Sequence, residues 1–375
     1  MTPEGISLDS IVICDYPYDQ VAPSVTFGNG FYLACWADQR GEFSNIYCAR
    51  ILPNGTVLEK DGFPVHQDSI SQMTPVSAFD GSNFLVVWAA YELNINSIYG
   101  VRISPGGSIL DSTPIIISQG PDAKYAPAVS FDGSNYMVIW NDSRLNGTEY
   151  DQWAARVTPE GLLLDTNGIP VDTSKGYQFD PSITFLNPYY LAVWTDDGSG
   201  SPDIFGKRIS PPGSLIDTAA IPICTVTGMQ IGAAAFAGSE KFLVVWNDGR
   251  LGFENSDIYA TFIDTAGQGV EEVSNFQFSI SNEQLLVYPN PFKERVEIKW
   301  ILGTGHSALG KNLITNDQCP MTISIYDVSG RLVKSVPLTT NHLSLGTDLK
   351  GGIYFLRIEN LNSKEVLSRK LIKIE

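Results

Sequence analysis

Three copies of one short motif carry the side chains with the most evident chemistry. The motif is Trp-x-Asp-x-Arg, at Trp36/Asp38/Arg40, Trp140/Asp142/Arg144 and Trp246/Asp248/Arg250. A carboxylate beside a guanidinium could bind an ion, so one interpretation is a ring of equivalent ion sites. The other interpretation is architectural: the Asp caps a turn, and the Arg packs on a Trp or pairs with a carboxylate. Identical groups in several copies favour architecture, because catalysis needs one asymmetric constellation.

The motif belongs to a longer repeat with a nearly constant period. Five Trp residues lie 52, 52, 54 and 52 positions apart: Trp36, Trp88, Trp140, Trp194 and Trp246. Trp194 keeps only Asp196 of the motif, and Trp88 has lost both partners. Upstream of the Trp, the stretch Phe131–Trp140 is a near copy of Phe79–Trp88. A fixed period of this size indicates a repeat architecture.

The sequence pattern within each repeat predicts four short strands. A Pro-x-x-x-Phe strand precedes a Gly-rich turn, and an apolar run into the Trp forms the second strand. In the fifth repeat, Gly232 takes the place of the Pro. The third strand is typified by Ile98–Ile103, and a Pro-x-Gly turn leads to the fourth. Four strands in each period are typical of a β-propeller blade, so the predicted fold is all-β: a propeller of five four-stranded blades, followed by a small antiparallel β-sandwich.

The domain boundaries follow from the repeats. We expect the propeller at 1–273, a linker at 274–284 and a C-terminal domain at 285–375, with repeats at 15–66, 67–118, 119–172, 173–224 and 225–270. Residues Thr2–Gly5 match Thr158–Gly161, which end a repeat rather than begin one. Residues 1–14 are therefore expected to complete the last blade and close the ring, which removes exposed sheet edges. The alternative is that residues 1–14 are the remnant of an upstream blade in a truncated gene product.

Composition excludes several classes of partner. Residues 1–284 carry a net charge of −21 and residues 285–375 carry +4, so nucleic acid and anionic lipid are poor partners for the propeller. No apolar run is long enough for a membrane span, and the first residues contain no N-terminal export signal. The strand-like surroundings of Cys14, Cys35, Cys48 and Cys224 predict core side chains rather than disulfides or a metal site.

The loops that differ between repeats are the predicted ligand-binding surface. They carry aromatic and carboxylate side chains: Tyr91, Glu92, Tyr125, Glu149, Tyr150, Tyr177 and Phe253. A flat apolar ring beside hydrogen-bonding groups suits a sugar or a peptide. We predict a binding or adhesion module for a glycan or surface-protein ligand. The alternative is a passive structural or interaction module of a larger surface protein.

Catalysis and cofactors are not expected. Five-bladed propellers include glycoside hydrolases, which place two or three carboxylates on the inner strands. The predicted inner strands, such as Ser182–Thr184, contain no acid, and Asp180 and Asp19 are the nearest. A glycosidase-type hydrolase is therefore the alternative, and a non-enzymatic protein without cofactors is the prediction. A weak calcium candidate is formed by Asp196, Asp197 and Asp203, whose spacing fits no standard calcium loop.

The C-terminal residues contain the most specific motifs. They are Tyr288-Pro289-Asn290-Pro291, Tyr326-Asp327 with Gly330, Gly351-Gly352 with Tyr354, and a final strand with Lys370 and Lys373. In this order, they resemble the C-terminal sorting domain of type IX (Por) secretion substrates. The resemblance implies the type IX translocon and its sorting protease as partners. It also implies export through the periplasm of a gram-negative bacterium, to the cell surface or the medium. The insert Gly303–Pro320 is longer than the resemblance leads us to expect.

Overall fold

A computed structural model describes two compact units, 1–272 and 273–375. The described residues are 10–92, 95–145, 147, 149–250, 252 and 256–270 of the first unit, and 285–288, 296–300, 321–327, 331–337, 342–345, 350, 352–360 and 366–373 of the second. These parts of the chain are strands and connections without a helix, which confirms the all-β prediction. They accordingly contain no helix long and apolar enough to cross a membrane.

The first unit consists of five four-stranded antiparallel sheets, which are the predicted blades. Blade 1 contains β1 (Gln20–Gly28), β2 (Phe31–Asp38), β3 (Asn45–Ile51) and β4 (Phe63–His66). Blade 2 contains β5 (Ser71–Phe79), β6 (Phe84–Glu92), β7 (Ile95–Ile103) and β8 (Ile115–Gly120). Blade 3 contains β9 (Lys124–Phe131), β10 (Tyr136–Asp142), β11 (Asp151–Val157) and β12 (Ile169–Asp172). Blade 4 contains β13 (Gln178–Leu186), β14 (Tyr189–Asp196), β15 (Asp203–Ile209) and β16 (Ile221–Cys224). Blade 5 contains β17 (Gln230–Ala237), β18 (Phe242–Asp248), β19 (Asp257–Ile263) and β20 (Gly269–Val270).

The first strand of every blade contains a β-bulge at the same place. The bulge residue has a positive φ in all five blades: Ala22, Thr74, Ala126, Asp180 and Gly232. The pairing register shifts at each of these positions, as expected for a bulge. Gly232 is thus the counterpart of the residue before Pro in blades 1–4, and Ala233 stands at the Pro position. This register corrects the predicted alignment of the fifth repeat by one residue.

Each blade has two apolar faces. We call the face toward the preceding blade the leading face and the face toward the following blade the trailing face. Successive residues of a strand point to opposite faces. Trp140 therefore lies on the leading face of β10 and packs against Leu85 and Val87 on the trailing face of blade 2. Cores of this kind join blades 1 to 2, 2 to 3, 3 to 4 and 4 to 5.

Arginines on the third strands of blades 1, 2 and 4 link each of these blades to the next one. Arg102 pairs with Asp111 of its own blade at 2.6 Å, and its Nη1 donates to the carbonyl oxygen of Pro159 in the next blade at 3.0 Å. Arg50 and Arg208 make the same kind of link to Pro105 and Thr265. Since the acceptor lies in the Pro-x-Gly turn or its counterpart, this turn has a role in blade packing that the sequence did not reveal.

The ring is not closed in the described part of the chain. The fourth strand of blade 5 is β20, which pairs with Phe262 and Ile263, where residues 1–14 were expected. Of those residues, Ile13 and Cys14 pack on Trp36 and Tyr47 of blade 1, and residues 1–9 lie outside the described residues.

One pair of cysteines differs from the prediction. Cys35 and Cys48 face each other across β2 and β3 and form a disulfide in the core between blades 1 and 2. The sequence pattern revealed their burial but not their pairing, because the register of the two strands brings them together. Cys14 and Cys224 are not part of this disulfide.

The second unit contains two antiparallel sheets. The first has the order β21 (Leu285–Tyr288), β22 (Val296–Trp300) and β25 (His342–Leu345). The other has the order β24 (Leu332–Pro337), β23 (Met321–Asp327), β26 (Gly352–Asn360) and β27 (Val366–Lys373). The linker 274–284 and the insert 303–320 lie outside the described residues.

Candidate functional site

The Trp, Asp and Arg side chains of the repeated motif form one compact unit. In blade 1, Trp36 Nε1 donates to Asp38 Oδ2 at 2.8 Å, and Arg40 donates to both carboxylate oxygens at 2.8 and 2.6 Å. The backbone N–H of Arg40 donates to Asp38 Oδ1 at 3.0 Å, which caps the turn after β2. The guanidinium stacks on the ring of Tyr47, 4.0 Å from its centre. Turn cap, ion pair and stacking therefore occur together.

Blade 5 repeats this unit, and blade 3 does so with Trp140, Asp142 and Arg144. Burial alone would raise the pKa of Asp248, but hydrogen bonds from Arg250 and Trp246 outweigh it and lower this pKa to about 2. In blade 2, Ala90 replaces the Asp, and the buried Nε1 of Trp88 finds no acceptor in the described part of the chain. The carboxylates of the motif are thus engaged within the protein, which supports the architectural interpretation.

Three of the predicted ligand-binding tyrosines form a continuous row. The rings of Tyr125 and Tyr150 meet edge to face with their centres 4.7 Å apart, and those of Tyr150 and Tyr177 are 5.8 Å apart. Tyr177 is 41% exposed, so the row has a face open to solvent. Burial and then Tyr150 raise the pKa of Tyr91 to about 12. Tyr91 and Tyr125 both pack on the core between blades 2 and 3.

Backbone contacts between blades 3 and 4 position the row. Tyr125 lies in β9 directly before the bulge at Ala126, and Tyr150 and Tyr177 directly precede β11 and β13. The N–H of Gln178 donates to the carbonyl oxygen of Tyr150 at 2.8 Å. The N–H of Tyr177 donates to Asp197 Oδ1 at 2.7 Å. Asp197, a calcium candidate from the sequence, therefore holds the loop that carries Tyr177.

Asp180 occupies in blade 4 the position that Ala126, next to Tyr125, occupies in blade 3. It is the bulge residue of β13, so an inner strand does carry an acid, contrary to the prediction from the sequence. Of the five bulge residues, only Asp180 has a carboxylate. Although the residue is exposed, partial burial of its carboxyl raises its pKa. Burial, Tyr150 and the charge of Asp180 in turn raise the pKa of Tyr125.

Asp151, at the start of β11, is a buried acid that the sequence did not single out. It is 0% exposed, and neither carboxylate oxygen has a hydrogen-bond partner in the described residues. Burial, together with the charges of Asp142, Asp172 and Glu149, raises the pKa of Asp151 to about 6. An unpaired buried carboxyl with a raised pKa is typical of functional sites. Asp151 directly follows Tyr150 in the chain and pairs with Asp142 across β10 and β11.

We expect Asp151→Asn to stabilise the protein at neutral pH. Because the folded-state pKa is above the ordinary value of about 4, the free energy of unfolding falls as the pH rises from about 4 to about 6 and stays low above it. The amide carries no charge, so at pH 7 the variant should gain on the order of 2–3 kcal/mol. Urea unfolding at pH 4 and pH 7 measures the effect, which should be small at pH 4.

Asp165→Asn is the matched control for this experiment. Burial would raise the pKa of Asp165, but hydrogen bonds from Arg156 outweigh it and lower the pKa. This variant should therefore lose stability at pH 7. A loss of stability at pH 7 in Asp151→Asn as well would contradict the assignment of Asp151 as an unpaired acid.

The other predicted site residues form hydrogen bonds away from the tyrosine rings or lie outside the described residues. Glu149 Oε2 accepts from the N–H of Gly176 at 3.4 Å, and Asp203 accepts from Ser199 at 2.8 Å. The described residues contain no group of three or more His, Cys, Asp or Glu side chains arranged to hold a metal ion. Phe253 and the side chain of Glu92 lie outside the described residues.

Asp180 and Lys124 share one signal in the sequence, whereas Asp151 does not, because Asp203 and Asp257 stand at its counterparts in blades 4 and 5. Asp180 replaces Ala, Thr or Gly at the bulge, and the buried Lys124 replaces the Gln that lies two residues before the bulge in the other blades. Both residues depart from the repeat, and they lie in the inner strands of the neighbouring blades 3 and 4. A comparison of repeats position by position would have found them, whereas the predicted inner strands began at the Pro, three residues after the first residue of β9 and of β13.

The motifs of the sorting domain lie at strand ends in the second unit. Tyr288 ends β21, Tyr326 and Asp327 end β23, and Gly352 begins β26. Asp327 Oδ2 and Arg331 Nε are 3.1 Å apart, and the Tyr354 hydroxyl donates to the carbonyl oxygen of Lys350 at 2.8 Å. Lys370 and Lys373 lie in β27. Residues 289–295, Gly330 and Gly351 lie outside the described residues.

Solved structures that resemble this chain are glycoside hydrolases. A thermostable family-43 glycoside hydrolase has 12% identity and a TM-score of 0.44, over 65% of this chain and 89% of its own. An endo-arabinase from Bacteroides thetaiotaomicron has 12% identity and a TM-score of 0.42, over 68% and 98%. A GH32 β-fructofuranosidase from Bombyx mori has 8% identity and a TM-score of 0.46, over 94% and 86%. No curated protein sequence matches the chain.

The expectation of a non-enzymatic protein is corrected: the solved structures of similar fold are enzymes, and at these identities the likeness concerns the fold alone. The inner strands also do contain an acid, since β13 includes Asp180. The activities in these titles belong to those proteins. The C-terminal prediction, by contrast, is confirmed, because residues 286–374 match the family described as secretion system C-terminal sorting domain. The chain is therefore a secreted β-propeller protein with a type IX (Por) sorting domain at its C-terminal end.

Proposed function

We propose that the propeller binds a carbohydrate chain at the row Tyr125–Tyr150–Tyr177, beside Asp180. The observation that carries this proposal is the contact of a tyrosine in β9 with the tyrosines that precede β11 and β13, of which β13 carries Asp180, the one bulge residue with a carboxylate. The sorting domain delivers this surface to the outside of the cell, where glycans are accessible. Adhesion to a glycan-bearing surface is the role that fits both units.

The chemistry of the row suits a sugar more than other ligands. A tyrosine ring covers the apolar C–H face of a pyranose or furanose, and a carboxylate accepts hydrogen bonds from its hydroxyl groups. The net charge of −21 on residues 1–284 repels anions. The ligand class is therefore a neutral or basic glycan rather than a sulfated or uronic one.

A glycan array with the full chain tests the proposal. Tyr150→Ala and Tyr177→Ala should each weaken binding to the best glycans by about tenfold or more, which corresponds to a lost contact of about 1.4 kcal/mol. Tyr18→Ala is the matched control, because Tyr18 is 74% exposed in blade 1 and outside the row. Binding to no glycan, or unchanged binding in both variants, would contradict the proposal. The alternative, a passive interaction module, would then be favoured.

Hydrolysis of the same glycan is a second candidate, favoured by Asp180. A general acid needs a carboxyl that stays protonated near the working pH, and partial burial raises the pKa of this one. If the protein cleaves its ligand, Asp180→Asn should abolish the release of reducing ends. Because the amide still forms hydrogen bonds, binding should persist. Intact glycan after prolonged incubation with the parent protein would exclude hydrolysis.

A further inference from the structure

Blade 2 lacks the carboxylate that follows the repeated Trp in the other blades. Its Ala90 stands at the position of four aspartates: Asp38, Asp142, Asp196 and Asp248. The buried Nε1 of Trp88 and the buried hydroxyl of Ser97 have no hydrogen-bond partner in the described part of the chain. Ser97 pairs with Ala90 across β6 and β7, so Trp88, Ala90 and Ser97 share the leading face of the blade. Two buried donors therefore border the place of one missing carboxylate.

The aromatic ring beside this place is retained. Trp88 pairs with Tyr99, and their ring centres are 6.1 Å apart, close to the 6.5 Å between Trp36 and Tyr47. In blades 1, 3 and 5, the arginine of the motif stacks on the ring that corresponds to Tyr99, at 4.0, 4.1 and 3.9 Å from its centre. In blade 2, the arginine position is Glu92. The motif thus supplies no cation for the ring of Tyr99.

The fourth strand of blade 1 forms another wall of this place. His66 ends β4, and its ring stacks on that of Trp88 with the centres 6.0 Å apart. Its counterpart at the end of the next fourth strand but for two residues is Ser118, which accepts from Arg144 Nη2 at 2.9 Å. The side chains of His66 and Arg144 are 30% and 23% exposed. The place of the guanidinium is therefore reached from solvent.

We propose that His66, Trp88, Ala90, Ser97 and Tyr99 form a site for a free α-amino acid, whose carboxylate replaces the missing Asp side chain and whose ammonium lies over Tyr99. We call it the Trp88 site. A carboxylate alone would be buried without a cation, which is costly. An α-amino acid carries its ammonium next to its carboxylate, as Arg40 lies 2.6 Å from Asp38 in blade 1. The Trp88 site lies between blades 1 and 2, whereas the rings of Tyr150 and Tyr177 meet between blades 3 and 4.

Titration of the full chain with glycine tests the Trp88 site through the indole N–H signals of ¹⁵N-labelled protein. The Trp88 signal, assigned by its loss in Trp88→Phe, should move downfield and saturate, because Nε1 gains a charged acceptor. The Trp140 signal is the internal control, since its Nε1 already donates to Asp142. Acetate carries no ammonium, so it should need about tenfold higher concentration for the same shift. A Trp88 signal that glycine does not move, or that acetate moves equally well, would overturn the proposal.

Two variants show whether glycine occupies the place of the missing pair. Ala90→Asp combined with Glu92→Arg restores the motif, so glycine should no longer move the Trp88 signal. This variant should also melt at a higher temperature, because the buried donors gain an acceptor. Ser97→Ala removes one donor without adding a charge and should weaken glycine binding by about tenfold. Binding that persists in the restored variant, or that is unchanged in Ser97→Ala, would contradict the assigned site.

Discussion

Trp140→Ala should lower the free energy of unfolding of the propeller by about 3–5 kcal/mol. Trp140 is fully buried in the core between blades 2 and 3, and its Nε1 donates to Asp142 Oδ2 at 2.9 Å. The variant therefore loses both apolar contacts and a hydrogen bond to a buried carboxylate. Urea unfolding followed by tryptophan fluorescence measures the change.

Two Phe variants separate the hydrogen bond from the packing. Trp140→Phe removes the donor to Asp142, whereas Trp88→Phe removes an indole nitrogen that has no acceptor in the described part of the chain. Trp140→Phe should cost about 1–3 kcal/mol more than Trp88→Phe, because it leaves a buried carboxylate less satisfied. Equal losses would show that the motif acts through packing alone.

Deletion of residues 371–375 should abolish export to the cell surface. Leu371, Ile372 and Lys373 pair with Tyr354, Ile353 and Gly352, so the deletion removes the end of β27 from its sheet. A sorting domain must fold to be recognised by the translocon, and the protein should therefore accumulate in the periplasm of a type IX-competent cell. Protease shaving of intact cells, compared with blotting of periplasmic extracts, measures the distribution.

Deletion of Glu375 alone is the control for the export experiment. It leaves β27, which ends at Lys373, intact, and surface display should persist. The propeller is a separate compact unit, so its melting curve should be the same in both deletion variants. Efficient display without residues 371–375 would mean that recognition by the translocon does not need the final strand.

The sequence by itself determined the repeated unit and the export signal. A period of 52–54 residues, alternating apolar positions and Gly-rich turns specify a blade, because each of these features acts within a few residues of the chain. The Trp-x-Asp-x-Arg unit is equally local, since its cap, ion pair and indole hydrogen bond span five residues. The motifs of the sorting domain predicted a domain at 285–375, and the family match at residues 286–374 confirms it.

Only the tertiary structure decided which side chains meet. Tyr125, Tyr150 and Tyr177 are far apart in the chain, and the packing of blade 4 on blade 3 forms the row. The bulge placed Asp180 in an inner strand, and the register of β2 with β3 joined Cys35 to Cys48. The pairing of β20 with Phe262 and Ile263 was likewise invisible in the sequence. Local periodicity sets the face on which a side chain lies, but long-range packing determines what covers that face.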